Sequence, residues 1–134
     1  MRIRVTTIYA AQILGYMATT ENRLVTVKEL VAQIGITYQY CLKVMNELKK
    51  AGLLESEQGC KGGFYLKTEP ESITVDDVME VFEESAPGYV EKKEAVKKDP
   101  FKMYMDKLYL QEKERMKHTA LVDIYRVNAA EKKR

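Results

Sequence analysis

Tyr38, Gln39, Leu42 and Lys43 are separated by steps of one, three and one residues, a spacing that gathers side chains on one face of a helix. Their chemistry is that of a surface that reads base edges. A glutamine amide pairs at two points with adenine, a lysine ammonium reaches guanine or a phosphate, and a leucine lies against a thymine methyl. Asn46 and Glu47 continue the face by a turn, and Thr37 stands at its start. Phosphate oxygens need donors beside such a face. Arg2, Arg4, Thr6 and Thr7 near the N-terminus, Lys49 and Lys50 past the face, and Lys61 further on are the candidates. Each residue alone is an ordinary surface residue, so the reading depends on the elements that bring them together.

Other chemistries find less support. The chain has two cysteines, Cys41 and Cys60, and one histidine, His118, at no usual zinc spacing. No metal and no cofactor are expected. Gly59, Gly62 and Gly63 precede a strand rather than open a helix, so they do not form a phosphate-binding loop, and no nucleophile lies near His118. An enzyme is not expected. Cys60, between Gly59 and Lys61, is the candidate redox position, because a neighbouring cation favours the thiolate; Cys41 is expected to be a small core residue. The net charge is only +2. Residues 1–67 nevertheless hold 9 Lys+Arg against 5 Asp+Glu, and residues 68–134 hold 13 against 15, so the positive excess lies in the half that carries the candidate face. No apolar run is long enough to span a bilayer and no signal-peptide order is present, from which a cytoplasmic protein without membrane contact is expected.

The elements follow from periodicity and capping. Val5–Ala18 is almost all apolar or small and reads as a helix buried over most of its circumference. Thr26 with Glu29 has capping-box spacing, and Val27, Leu30, Val31 and Ile34 form the second helix, which Gly35 ends. Thr37 caps a third helix, with Cys41, Val44, Met45 and Leu48 inward, up to Ala51 and Gly52. Helix, glycine turn and helix in this order form a helix-turn-helix, whose second helix enters the major groove. Residues 53–56 and 63–66, either side of a glycine-rich tip, read as a hairpin or wing. Thr74 caps a fourth helix with Asp76 and Asp77 at its positive end and Val75, Val78, Met79 and Phe82 as its apolar face. Asp99 and Pro100 start a last helix, Phe101–Val127, in which no glycine or proline intervenes. Its apolar positions Phe101, Tyr104, Met105, Leu108, Leu121 and Ile124 are assigned to pairing with a second copy of the chain.

The opening Met1-Arg2-Ile3 with Tyr9-Ala10, the segment VKELVAQIGITYQYCLKVMNELKKAGLLES, the wing GCKGGFYL and the following ITVDDVMEVFEES resemble the Rrf2 family of dimeric bacterial winged-helix regulators over about residues 1–85. The resemblance implies a homodimer held by the last helix, with recognition helices in successive major grooves and wings in flanking minor grooves of a palindromic site. Members that bind iron–sulfur clusters carry three cysteines in the connector before the last helix. Residues 85–100 contain none, so no cluster is expected there. Leu42 stands where many relatives have glutamate and Gln58 where they often have arginine, which implies a different operator.

The expected fold is mainly α with a small β-hairpin. A winged helix-turn-helix domain covers residues 1–85, a connector 86–100, a long C-terminal dimerisation helix 101–127 and a frayed basic tail 128–134. The expected function is a DNA-binding transcriptional regulator, a repressor acting as a homodimer on double-stranded DNA. The alternatives are a winged helix used only for protein contact and a thiol switch at Cys60. A small-molecule or protein effector is open, with Tyr89, Met103, Tyr104 and Tyr109 as candidate lining for a ligand.

Overall fold

The computed structural model describes residues 2–83 and 98–132, with side chains as far as residue 126. The connector residues 86–97, Tyr89 among them, and the last two residues of the tail lie outside the described residues. The order is α1 (Val5–Thr19), α2 (Val27–Ile34), α3 (Tyr38–Lys50), β1 (Leu54–Glu57), β2 (Gly63–Leu66), a 3-10 turn (Pro70–Ser72), α4 (Val75–Phe82), α5 (Pro100–Lys117) and α6 (Leu121–Lys132). Among the described residues no helix is long and apolar enough to cross a membrane.

Local chemistry sets most boundaries. The hydroxyls of Thr26, Thr37 and Thr74 accept from the backbone N–H groups of Glu29, Tyr40 and Asp77, and the Asp99 carboxylate accepts from Phe101 and Lys102. Each cap satisfies donors that have no partner within the helix. At Thr74 the box is complete, since Asp77 accepts the Thr74 N–H in return. At Thr26 only half of it forms, because the Glu29 carboxylate accepts the Tyr16 hydroxyl proton at 2.5 Å and so ties α2 to α1. Gly35 ends α2 at φ 82°, a conformation costly for any residue with a Cβ.

The core gathers Ala10, Ile13, Leu14 and Met17 of α1 with Leu30, Cys41, Val44, Met45, Leu48, Leu54 and Val78. As expected, α1 is buried or half-buried over most of its circumference; Val5, Ile8, Gln12 and Thr19 form the one exposed stripe. β1 and β2 pair antiparallel, with Leu54 opposite Leu66 and Glu57 opposite Gly63. Val25 adds a third rung that periodicity did not reveal, exchanging two 2.8 Å backbone hydrogen bonds with Phe64. A Cβ on Gly63 would stand 2.9 Å from the Val25 carbonyl oxygen, so the close approach requires glycine.

The expected single helix from Phe101 to Val127 is two helices. Leu121 N–H donates to the Ile73 carbonyl and Val75 N–H to the Thr119 carbonyl, both at 2.9 Å, so the start of α4 takes the backbone groups that would have carried the helix through residues 118–120. The turn lets α6 fold back onto α1 and run to Lys132, beyond the expected end at Val127. Leu121 and Val122 are thereby buried, at 3% and 1% exposure.

Candidate nucleic-acid interface

α3 is fixed on three sides before it presents anything. Cys41, Val44, Met45 and Leu48 are buried beneath it. Thr37 caps its start. The Tyr40 ring meets Tyr9 edge-on at 5.8 Å, and the Tyr40 hydroxyl shares a 2.6 Å hydrogen bond with Thr6. The opposite face carries Tyr38, Gln39, Lys43 and Asn46, all exposed, with Leu42 and Glu47 half-buried between them. With Lys50 they line a shallow groove of about 480 Å³. The structure therefore brings together on one face the residues that spacing put there, and Thr37 lies exposed at the start of the same helix.

The basic residues are distributed around it. Arg2 and Arg4 are exposed before α1 and Lys61 is exposed at the wing tip. The Lys49 ammonium donates to the Ser56 hydroxyl at 2.8 Å, joining the end of α3 to the wing, while Lys50 pairs with Glu47 at 3.5 Å. Thr7 is a correction: it is 3% exposed and its hydroxyl donates to Glu83 Oε1 at 2.7 Å, so its proton is committed inside the molecule and it offers no phosphate contact. The same carboxylate oxygen accepts the Arg4 N–H at 2.7 Å.

Those two donors, the Arg4 backbone first and Thr7 second, hold the Glu83 carboxyl below the ordinary glutamate range. A depressed value means that the anchor contributes stability above the unfolded glutamate value and loses it as pH falls through the folded one. Glu83→Gln is expected to lower the melting temperature at pH 7, and its curve should converge with that of the native chain as pH falls through the depressed folded value and the native carboxylate is neutralised. Curves that stay parallel as pH falls from 7 through the acid range would show that the charge contributes nothing. The anchor bears on the interface because the same first turn of α1 carries Thr6, which holds Tyr40.

Sequence reasoning missed Arg23, which lies in a short polar loop with no periodicity. Its guanidinium stacks 4.0 Å from the Tyr65 ring centroid and pairs with Glu57 at 2.9 Å. It thus braces both strands of the wing against the α1–α2 loop, an arrangement suited to guanidinium rather than ammonium. Tyr65 lies more than forty residues further along the chain, so nothing local signalled the contact.

The residues assigned to pairing divide. Phe101, Tyr104, Met105 and Leu108 are exposed on α5 at 74%, 64%, 44% and 37%, and no described residue of that helix is buried. Ile124 is exposed as well, beside an apolar cleft of about 270 Å³ that α1, α4 and α6 share. Leu121 is the second correction, because the turn at 118–120 places it inside the core of its own chain. Cys60 is exposed on the wing, whereas Cys41 is fully buried, its thiol 3.9 Å from the Met45 sulfur and pushed up by burial.

Residues 3–126 match the family model Rrf2, iron-dependent transcriptional regulator. A putative HTH-type transcriptional regulator of Aquifex aeolicus is 42% identical over 55% of this chain and 51% of its own length. The HTH-type transcriptional regulator NsrR of Shouchella clausii is 34% identical over 63% and 58%. The chain thus spans a little over half the length of the curated relatives it matches. The structure of CymR, the global cysteine regulator of B. subtilis, superposes with a TM-score of 0.74 at 25% identity, covering 95% of this chain and 98% of that one. Iron held as a cluster requires several thiolates at one place. The two cysteines here are one in the core and one on the wing tip, His118 is far from both in sequence, and residues 84–97 contain neither residue type. This donor set does not fit a thiolate-held cluster.

Proposed function

The chain belongs to the Rrf2 family of transcriptional regulators, and on that premise we propose that it is a sequence-specific repressor that binds a palindromic operator as a homodimer. The carrying observation is the α3 face. A helix capped at Thr37 and held by Tyr40 and four buried residues presents Tyr38, Gln39, Leu42, Lys43 and Asn46 beside a wing bearing Lys61. A rigid helix with an amide, an ammonium and an apolar side chain at its N-terminal turns suits major-groove readout. Arg2, Arg4 and Lys49 are the phosphate contacts that would set its register.

The homodimer is supported by α5, eighteen residues long without a buried one. Phe101, Tyr104, Met105 and Leu108 lie at steps of three, one and three residues, a stripe that a twofold partner would cover with the same stripe. An exposed apolar surface of this kind on one element marks an interaction site. Two such subunits present two recognition helices, and their separation would set the half-site spacing.

The test is a mobility-shift titration on DNA from upstream of the protein's own gene, repeated across salt concentrations and paired with transcription from that promoter in vitro. Saturable retention of that fragment over unrelated DNA is expected. The logarithm of affinity should fall linearly and steeply with the logarithm of salt as counterions are released, and the transcript should diminish as protein is added. Binding indifferent to salt, or equal on unrelated DNA, would count decisively against the interface; an increased transcript would overturn repression.

A further inference from the structure

The groove on α3 has an apolar row and a polar row, and their order along the helix specifies what they can read. Residues four apart overlie one another on a helix. Tyr38 and Leu42 form one row, with Asn46 beyond; Gln39 and Lys43 form the other. Leu42 is half-buried and packed against the core cluster, so it cannot swing out of the floor and must present methyl groups to whatever enters. The only apolar group on a major-groove edge is the thymine C5 methyl, whereas the cytosine N4 amine set against Leu42 would lose water and find no acceptor. Glu47, the one acidic group in the groove, is paired with Lys50 and is drawn along the helix rather than left to accept from cytosine. Gln39 is exposed with no partner competing for its amide among the hydrogen bonds described, and its donor and acceptor match adenine N7 and N6–H.

Gln39 and Leu42 are three residues apart. On a helix surface that is about 5–6 Å between Cβ atoms, against a rise of about 3.4 Å per base pair. The two contacts therefore fall one or two base-pair steps apart. Resting on the DNA-binding reading above, we infer that each half-site contains a thymine whose C5 methyl packs on Leu42 and, one or two base pairs away, an adenine that pairs with Gln39. Operators of this protein thus carry two A·T pairs, one or two steps apart, in each half-site, and the thymine is read by contact rather than by hydrogen bonding.

The test uses the full chain to enrich binding sites from a random duplex library, then replaces thymidines of the enriched site by deoxyuridine and adenines by 7-deazaadenine, one at a time. One deoxyuridine position per half-site is expected to weaken binding about 4-fold, the worth of burying one methyl group, and Leu42→Ala should no longer distinguish thymine from uracil there. One 7-deazaadenine position, one or two base pairs away, should cost about 10-fold in the native chain and little in Gln39→Ala. The scan on the native chain stands whether or not the variants fold well. An enriched site with no uracil-sensitive thymine, or penalties that persist in both variants, would overturn the inference and leave DNA binding intact. A library that yields no enriched sequence would overturn the DNA-binding reading and this inference with it.

Discussion

Gly15→Ala is expected to lower the melting temperature by roughly 6–10 °C, although alanine in the middle of an exposed helix would ordinarily stabilise it by about 1 kcal/mol. The sign reverses because of what Gly15 faces. A Cβ there would stand 2.5–2.6 Å from three carbons of the Tyr125 ring, and Tyr125 is partly buried against the core, its phenol pushed up by burial. The ring cannot retreat without drawing α6 away from α1, and α6 also carries Leu121 and Val122 into the core. Overpacking of this kind typically costs 1–3 kcal/mol. Calorimetry of the native chain, Gly15→Ala, Tyr125→Leu and the double variant separates the contact from its surroundings. Recovery in the double variant is expected, because leucine lacks the ring edge that the new methyl meets. A melting temperature that rises in Gly15→Ala would show that α6 does not pack on α1 through this contact.

That contact illustrates which parts of the molecule are written locally. Thr26, Thr37, Thr74 and Asp99 each cap within three residues, and Gly35 turns the chain at its own position, so these boundaries could be read from neighbouring letters. The exposed face of α3 was legible for the same reason: once Cys41, Met45 and Leu48 are inward, helical geometry sends Gln39 and Lys43 outward. The break at residues 118–120 was not legible. Nothing in His118-Thr119-Ala120 opposes a helix strongly. It ends because Ile73 and Val75, more than forty residues earlier, take its backbone hydrogen bonds.

The same distinction explains the candidate-site residues that moved. Thr7 read as a phosphate donor because a threonine in the first turn of a helix is usually exposed; only the return of α4 puts Glu83 within reach of it. Leu121 was assigned to a partner because two apolar patches on one straight helix cannot both be covered by its own chain. Once the helix breaks, Leu121 is covered internally, and Phe101, Tyr104, Met105, Leu108 and Ile124 remain exposed. Arg23 needed both strands of the wing in place before its role could be seen.

Lys113 is where α5 is held to the winged helix by charge, and Lys113→Met is expected to destabilise the chain by about 1–3 kcal/mol, between the values typical of exposed and buried pairs. Its ammonium donates to Asp76 Oδ1 at 3.0 Å and to the Glu80 carboxylate. Asp76 is only 7% exposed in the first turn of α4. Glu80 first and Asp76 second hold the Lys113 ammonium above the ordinary lysine range. A raised value contributes stability that is fully present below the unfolded lysine value of 10.5 and is lost as pH climbs through the folded one, so the native chain should begin to lose this stability only above that pH. The variant loses it at neutral pH, since methionine keeps the stem's packing but leaves a nearly buried carboxylate unpaired beside a second one. Adding Asp76→Asn to Lys113→Met removes that charge and should restore much of the loss. If denaturant melts show no such recovery, packing rather than charge holds α5 to α4.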